Sequence, residues 1–263
     1  CHGTVVEKMT CRLEQVSSGL FLGEGKVKEI KELAQAKSID TVIINSDLKG
    51  SQQRNLEEEI GKKVIDRTQL ILDIFARRAK SVEGKMQVEL AQLEYLLPRL
   101  VGHGVEMSRL GGGIGTMGPG ETKLEVDRRR IREKVDRLRR ELKDVTSDRS
   151  LRRKKRQDDG IPLVSLVGYT NAGKSTLLNT LTQAGQVTHD GLFTTLDSLS
   201  RQLILPNHQK IVLSDTVGFL HELPHHLIES FKATLEETAS ADLLIHVVDV
   251  SHPKFRNLHE SVM

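Results

Sequence analysis

The chain has 263 residues, a formal charge of +3, no Trp and 3% aromatic residues. That length can hold two or three domains, and with no run of eighteen apolar residues nothing in it reads as a membrane-spanning helix. So few rings exclude a nucleic-acid surface built mainly on stacked bases.

In chain order, residues 1–67 read as a small α/β domain. Residues 12–16 are a candidate strand. Val27, Ile30, Leu33 and Ala34 recur at helical spacing, so 27–37 is expected to be a helix. Residues 41–44 read as a strand, 52–60 as a helix ended by Gly61, and 63–65 as another strand. Strands alternating with helices imply a parallel sheet. This part has no phosphate loop; Gly23-Glu24-Gly25 is too short a signal.

Residues 68–157 read as helical. Met86, Leu90, Leu93, Leu97 and Leu100 form one apolar seam, and Leu124, Ile131, Val135, Leu138, Leu142 and Val145 a second. Two such seams joined by a loop are expected to pack as an antiparallel coiled-coil hairpin, with Pro98 kinking the first helix near its end. The loop, 102–120, is dense in glycine from Gly111 to Gly120, and glycine is costly to order. Long loops of this kind are functional or disordered. This one reads either as a hinge or as a fingertip against a partner, flanked by Arg109 and Lys123. From Arg128 to Arg156 there are fifteen Lys/Arg against five Asp/Glu, a local charge of +10 that leaves −7 for the rest. One-signed charge points to a polyanion such as RNA; the alternative is a solvated helix face ending in a basic linker.

Residues 158–263 carry the strongest signal. The apolar, β-branched run 163–167 reads as a buried parallel strand. Gly168-Tyr169-Thr170-Asn171-Ala172-Gly173-Lys174-Ser175 follows and matches G-x-x-x-x-G-K-[ST] at every fixed position, and 175–181, including Thr176, reads as a helix. Loop amides and the positive helix end suit anionic phosphates. Lys174 can reach the β- and γ-phosphates and Ser175 can ligate Mg²⁺. A polar stretch, Phe193-Thr194-Thr195-Leu196-Asp197, places Thr195 to close over Mg²⁺ as part of a switch loop. The strand 210–214 ends in Asp215-Thr216-Val217-Gly218, the D-x-x-G pattern in which the Asp reaches Mg²⁺ through water and the Gly N–H meets the γ-phosphate. Another core strand lies at 242–249. Neither N-K-x-D, which reads guanine, nor a later S-A-K turn follows before Met263, and the chain opens at Cys1. We therefore expect a fragment, with the strand around Ile245 left as an aggregation-prone apolar edge.

Cys1 and Cys11 lack C-x-x-C or Cys/His spacing, which favours reduced thiols in a cytoplasmic setting over a disulfide. The N-terminus shows no signal-peptide pattern. The ten His show no metal-site spacing, and His225-His226 read as a solvated helix end.

Asp66-Arg67-Thr68, the run 71–76, the run 87–93, Gly111-Gly112-Gly113-Ile114-Gly115, Gly118-Pro119-Gly120-Glu121-Thr122, the phosphate loop and Asp215-Thr216-Val217-Gly218-Phe219 together resemble the HflX family of GTPases, over nearly the whole chain. The resemblance implies a monomeric cytoplasmic GTPase that binds the large ribosomal subunit and splits or rescues stalled ribosomes. It also implies that the helical hairpin and its glycine tip reach ribosomal RNA. Phosphoryl transfer needs positioning, Mg²⁺ and charge neutralisation, which Lys174, Ser175, Thr195, Asp215 and Gly218 can supply. Phe219 stands where a water-orienting Gln would be useful, so slow intrinsic turnover is expected. His221 reads as a surface residue more readily than as a substitute. Asn171 resembles the Asn by which some related GTPases hold K⁺. The competing readings are a P-loop ATPase and an RNA-binding scaffold that nucleotide only switches.

Overall fold

The computed structural model describes residues 3–13, 16–102, 123–182, 199–219 and 238–263. Backbone contacts group the chain into two units: Cys1–Ile74 with Gln92–Val135, and Phe75–Ala91 with Asp136–Met263.

In the first unit, α1 (Glu24–Ala36) begins with an acidic residue at the positive end of its dipole and buries Val27 and Ala34. The strands β1 (Thr41–Ile44) and β2 (Lys63–Asp66) flank α2 (Gly50–Ile60) in sequence and pair in parallel, Thr41 opposite Lys63 and Ile44 opposite Asp66. The α2 helix stops at Gly61, whose φ of 71° suits a residue without a β-carbon and whose N–H bonds the Glu57 carbonyl at 2.8 Å. Leu22, Val27, Ala34, Leu48, Leu56, Ile60 and Val64 form the core. Burying a side chain such as Leu56 contributes about 2 kcal/mol. No strand forms among the described residues of the stretch 12–16. The described Arg12, Leu13 and Val16 join no ladder, and Leu13 and Val16 are exposed. A strand's amides and carbonyls need a neighbour, and the partner of β1 among the described residues is β2.

The end of β2 carries a buried polar cluster. Asp66 is wholly buried; its Oδ2 accepts from the Leu48 N–H at 3.2 Å and the Arg99 guanidinium at 3.0 Å, and its Oδ1 from the Gln69 N–H at 2.8 Å. Arg99 also donates to the Leu48 carbonyl at 2.7 Å and the Tyr95 carbonyl at 3.0 Å, and lies 3.4 Å from the Tyr95 ring centroid. Burial, with the Asp66 charge nearby, pushes the Tyr95 hydroxyl pKa far above its ordinary value. Gly50 leaves room for this arginine: a β-carbon there would come within 3.1 Å of the Arg99 Cγ. Beside the cluster, Thr68 Oγ1 donates to Asp47 Oδ1 at 2.5 Å.

The helices α3 (Arg67–Arg78) and α4 (Val82–Leu96) follow β2. Pro98 terminates α4 rather than kinking it. The α-helix ends at Leu96 and the chain tightens into a 3₁₀ turn, Leu97–Gly102, because proline lacks the N–H for a helical bond and crowds the residue before it. The buried stripe of α4 also differs from the expected seam. Gln87, Val88, Leu90, Ala91 and Tyr95 are buried, whereas Met86, Leu93, Leu97 and Leu100 are half-buried. The long helix α5 (Lys123–Asp158) keeps its expected stripe: Val135 and Leu138 are buried, and Ile131, Leu142 and Val145 half-buried. Both helices of the expected hairpin thus form, while its glycine-rich loop, with Arg109 and 111–120, lies outside the described residues.

The second unit is built on a four-stranded sheet. Its strands are β3 (Leu163–Val167), β4 (Leu199–Ile204), β5 (Lys210–Asp215) and β6 (Leu243–His246), in the order β4-β5-β3-β6. β3 pairs in parallel with both β5 and β6; β4 runs antiparallel to β5. β3 is buried at every position, as a central parallel strand flanked on both sides should be. Leu166 and Leu213 from the sheet and Leu178 from α6 (Lys174–Thr182) share one core. β4 has no counterpart in the sequence reading; Leu199 and Leu203 are half-buried while Ser200, Arg201, Gln202 and Ile204 are exposed, as on an outer strand. β6 ends the sheet, with Leu243, Leu244 and Ile245 exposed. A short helix, α7 (Phe255–Glu260), follows it.

Candidate phosphate-binding site

The C-terminal ends of β3 and β5 lie side by side, where parallel α/β sheets bind ligands. From β3 the chain enters the loop 168–173, which delivers Lys174 to the first position of α6. Gly168 is required by its neighbour: a β-carbon there would sit 2.3 Å from the Val247 carbonyl oxygen. Asn171 and Gly173 have φ of 63° and 94°, so the loop curls through left-handed backbone.

Lys174 is 5% exposed, and its ammonium donates to the carbonyls of Gly168 at 3.0 Å and Tyr169 at 2.8 Å. Burial lowers its pKa from 10.5 to about 8, with the Asp215 carboxylate acting in the opposite sense. Ser175 Oγ donates to Asp215 Oδ2 at 2.5 Å, and Asp215 is wholly buried. Thr216 is fixed by its own hydroxyl, which donates to the Leu166 carbonyl at 2.7 Å. The last turn of this segment lies against the loop: the Thr170 N–H donates to the Phe219 carbonyl at 2.9 Å, and the Phe219 N–H to the Gly168 carbonyl at 3.1 Å. Gly218 is packed so tightly that a β-carbon would lie 2.6 Å from Thr170 Cα.

The structure therefore brings together Gly168, Tyr169, Thr170, Asn171, Ala172, Gly173, Lys174 and Ser175 with Asp215, Thr216, Val217 and Gly218. Thr176 lies exposed on the first turn of α6. Phe193, Thr194, Thr195, Leu196, Asp197 and His221 fall outside the described residues. Two contributions escaped sequence reasoning: the backbone of Phe219, and the Val247 carbonyl that dictates Gly168. Neither is signalled by a side chain. A cavity of about 150 Å³ lies beside the loop, lined among others by Tyr169, Asn171, His246, Asp249 and Phe255. His246 stacks on His259 at 5.0 Å, and burial, with His259 and the Lys174 ammonium nearby, lowers its pKa.

The donor set suits a hard cation. A serine hydroxyl and a buried carboxylate are oxygen ligands of the kind Mg²⁺ takes, one or two from the protein with the rest from phosphates and water. Accordingly, no group of three or more His, Cys, Asp or Glu among the described residues could hold a metal by itself. No helix among them is long and apolar enough to cross a membrane.

Three family descriptions match the chain: "GTP-binding GTPase N-terminal" over residues 1–76, "GTP-binding GTPase Middle Region" over 78–156, and "50S ribosome-binding GTPase" over 163–262. A GTPase HflX of Caldanaerobacter subterraneus subsp. tengcongensis is 53% identical over 249 residues, 95% of this chain and 58% of that protein. Another, of Alkalihalophilus pseudofirmus, is 54% identical over 261 residues, 99% of this chain and 62% of that protein. The chain thus spans less than two thirds of the length of these relatives. A solved structure of a GTP-binding protein from the archaeon Sulfolobus solfataricus in complex with GDP is 29% identical, with a TM-score of 0.46, covering 95% of this chain and 64% of that one.

Proposed function

The chain belongs to the HflX family of GTPases, and from that premise we propose that it binds GTP with Mg²⁺ and hydrolyses it to GDP while associated with the large ribosomal subunit, splitting or rescuing stalled ribosomes in the cytoplasm. The observation that carries the reading is the meeting of Lys174, Ser175 and Asp215 at the ends of β3 and β5. Loop amides and Lys174 hold the phosphates; Ser175, Asp215 and Thr195 hold Mg²⁺, which supplies charge neutralisation at the phosphoryl group. The segment 193–197 is assigned to nucleotide binding, and the Gly218 N–H to the γ-phosphate. Phe219 cannot orient water, so intrinsic turnover is slow and the ribosome raises it. Asn171 offers a side chain for K⁺ beside the phosphates.

The three parts, 1–67, 68–157 and 158–263, then divide the work, with a monomer as the acting unit. The exposed Arg129, Arg130, Arg132, Arg137, Arg139 and Arg140 of α5 supply the phosphate-binding face for rRNA, and the glycine-rich loop is assigned as a further rRNA contact. Arg129–Glu133 and Arg137–Glu141 at 3.8 Å and Arg130–Asp127 at 4.0 Å are all exposed pairs, and pairs of this kind are weak enough to be exchanged for phosphate partners.

Co-sedimentation of the full-length protein with each ribosomal subunit, with and without a non-hydrolysable GTP analogue, is the deciding test. The expected result is pelleting with the large subunit that strengthens with the analogue and falls steeply with salt. Pelleting with neither subunit would end the ribosomal reading. ATP competing as well as GTP would shift the assignment to an ATPase.

A further inference from the structure

The basic run at the end of α5 is helix, not linker. α5 continues to Asp158, and β3 begins at Leu163. The turn between them is closed by paired bonds. The Gly160 N–H donates to the Gln157 carbonyl at 3.0 Å and the Ile161 N–H to the Arg156 carbonyl at 3.1 Å, the pattern of a Schellman cap. Pro162 already belongs to the sheet, because its carbonyl accepts from the Val212 N–H at 2.9 Å. The Leu163 N–H then donates to Asp242 Oδ2 at 2.7 Å. Gly160 has a φ of 65°, and no atom lies within 4 Å of the place a β-carbon would take. Backbone conformation, not space, calls for glycine here. The part of α5 from Asp136 onward also groups with the four-stranded sheet in one compact unit.

We propose that Gly160 is a positioning residue: its cap makes the basic arm and the phosphate loop one body, so that RNA held along α5 sets the orientation of the nucleotide site on the large subunit. The inference rests on the ribosomal reading above and adds to it the residue that carries the orientation. β3 has five residues, begins just after the cap and leads into Gly168, so the phosphate loop is fixed to the strand that the arm enters. The arm has 36 residues, roughly 54 Å at about 1.5 Å per residue. At the end of so long a lever, a small change of angle at the cap is a large displacement. Two contacts made by one rigid body reinforce each other, whereas a loose joint lets the arm bind without presenting the phosphate loop. The left-handed backbone of Gly160 is open to Asn at small cost and closed to a β-branched residue.

The test is an insertion of Gly-Ser-Gly-Ser after Gly160 in the full-length protein, with GTP turnover measured alone and with saturating large subunits. Basal turnover and pelleting with the large subunit should stay within about three-fold of the unaltered protein, while stimulation by the subunit falls by about ten-fold or more. Gly160→Val should lose stimulation in the same way, and Gly160→Asn should keep most of it. The insertion carries the test even if the valine variant folds poorly. Stimulation undiminished by the insertion, or lost equally in the Asn and Val variants, would overturn the role of the joint. Loss of pelleting from the insertion variant would overturn it too, since the cap would then serve only to form the arm. Large subunits that fail to stimulate the unaltered protein would instead overturn the ribosomal reading on which the joint rests.

Discussion

Two aspartates occupy the same topological place and do different work. Asp66 ends β2 in the first unit and Asp215 ends β5 in the second; both are wholly buried at the C-terminal end of a parallel strand. Asp66 is held by a guanidinium that cannot lose its proton, and by the Leu48 and Gln69 amides. Asp215 accepts from a serine hydroxyl, a group that can exchange its partner for a metal. Its nearby cation, Lys174, rests on two loop carbonyls with its pKa drawn down to about 8. Position in a sheet does not make an acid functional. Whether its partners can be traded for a ligand does.

The contrast is sharpest on substitution. Arg99→Met should lower unfolding free energy by about 3–5 kcal/mol, because it leaves the wholly buried Asp66 carboxylate without its cation, and Asp66→Asn should lower it by less, because the Arg99 side chain is 17% exposed. Urea titration measures this, and nucleotide affinity per folded molecule should not change. Lys174→Ala should do the reverse, weakening GTP binding by about 100-fold through loss of charge-assisted bonds while the urea midpoint does not fall. If each aspartate's neighbourhood affected both quantities alike, the comparison would fail.

A smaller effect follows from the Lys174 pKa. Bound phosphates keep the ammonium protonated, so its pKa in the complex lies above the free value of about 8. Below about pH 8 the free and bound forms are both charged and affinity is flat. As pH rises above 8 the free form loses its proton and affinity falls, with proton uptake on binding visible by calorimetry in buffers of different ionisation heat. Stability moves the other way. From about pH 8 to 10.5 the unfolded chain holds more protons at this residue than the native one, so the fold gains stability as pH rises. Smallest of all, Arg137→Ala on the exposed face of α5 should change unfolding by under about 0.5 kcal/mol, while reducing the salt dependence of rRNA binding.

Much of the second unit was legible before the structure. The strand 163–167, the loop 168–175 and the acid at 215 announce themselves because phosphate chemistry needs particular residues at fixed spacing. The first unit was legible in its α/β alternation and in Gly61, whose left-handed φ ends α2. Arg99 was not, since its bonds reach back 33 residues to Asp66 and 51 to Leu48. β4 escaped because three consecutive polar residues, Ser200, Arg201 and Gln202, interrupt its apolar positions, and the described Arg12, Leu13 and Val16 form no strand because they find no ladder partner. On α4 the buried stripe shifted toward Val88, Ala91 and Tyr95, since burial follows the neighbouring surface rather than the largest aliphatic residues.

The contact between Gly168 and the Val247 carbonyl has a genetic corollary. Every amino acid other than glycine carries a β-carbon, so each missense change of that one codon produces the same 2.3 Å collision with a fixed oxygen. Conservative and radical replacements should therefore be equally damaging at this site, and a saturation library grown under selection for the protein's activity should return a single surviving residue there.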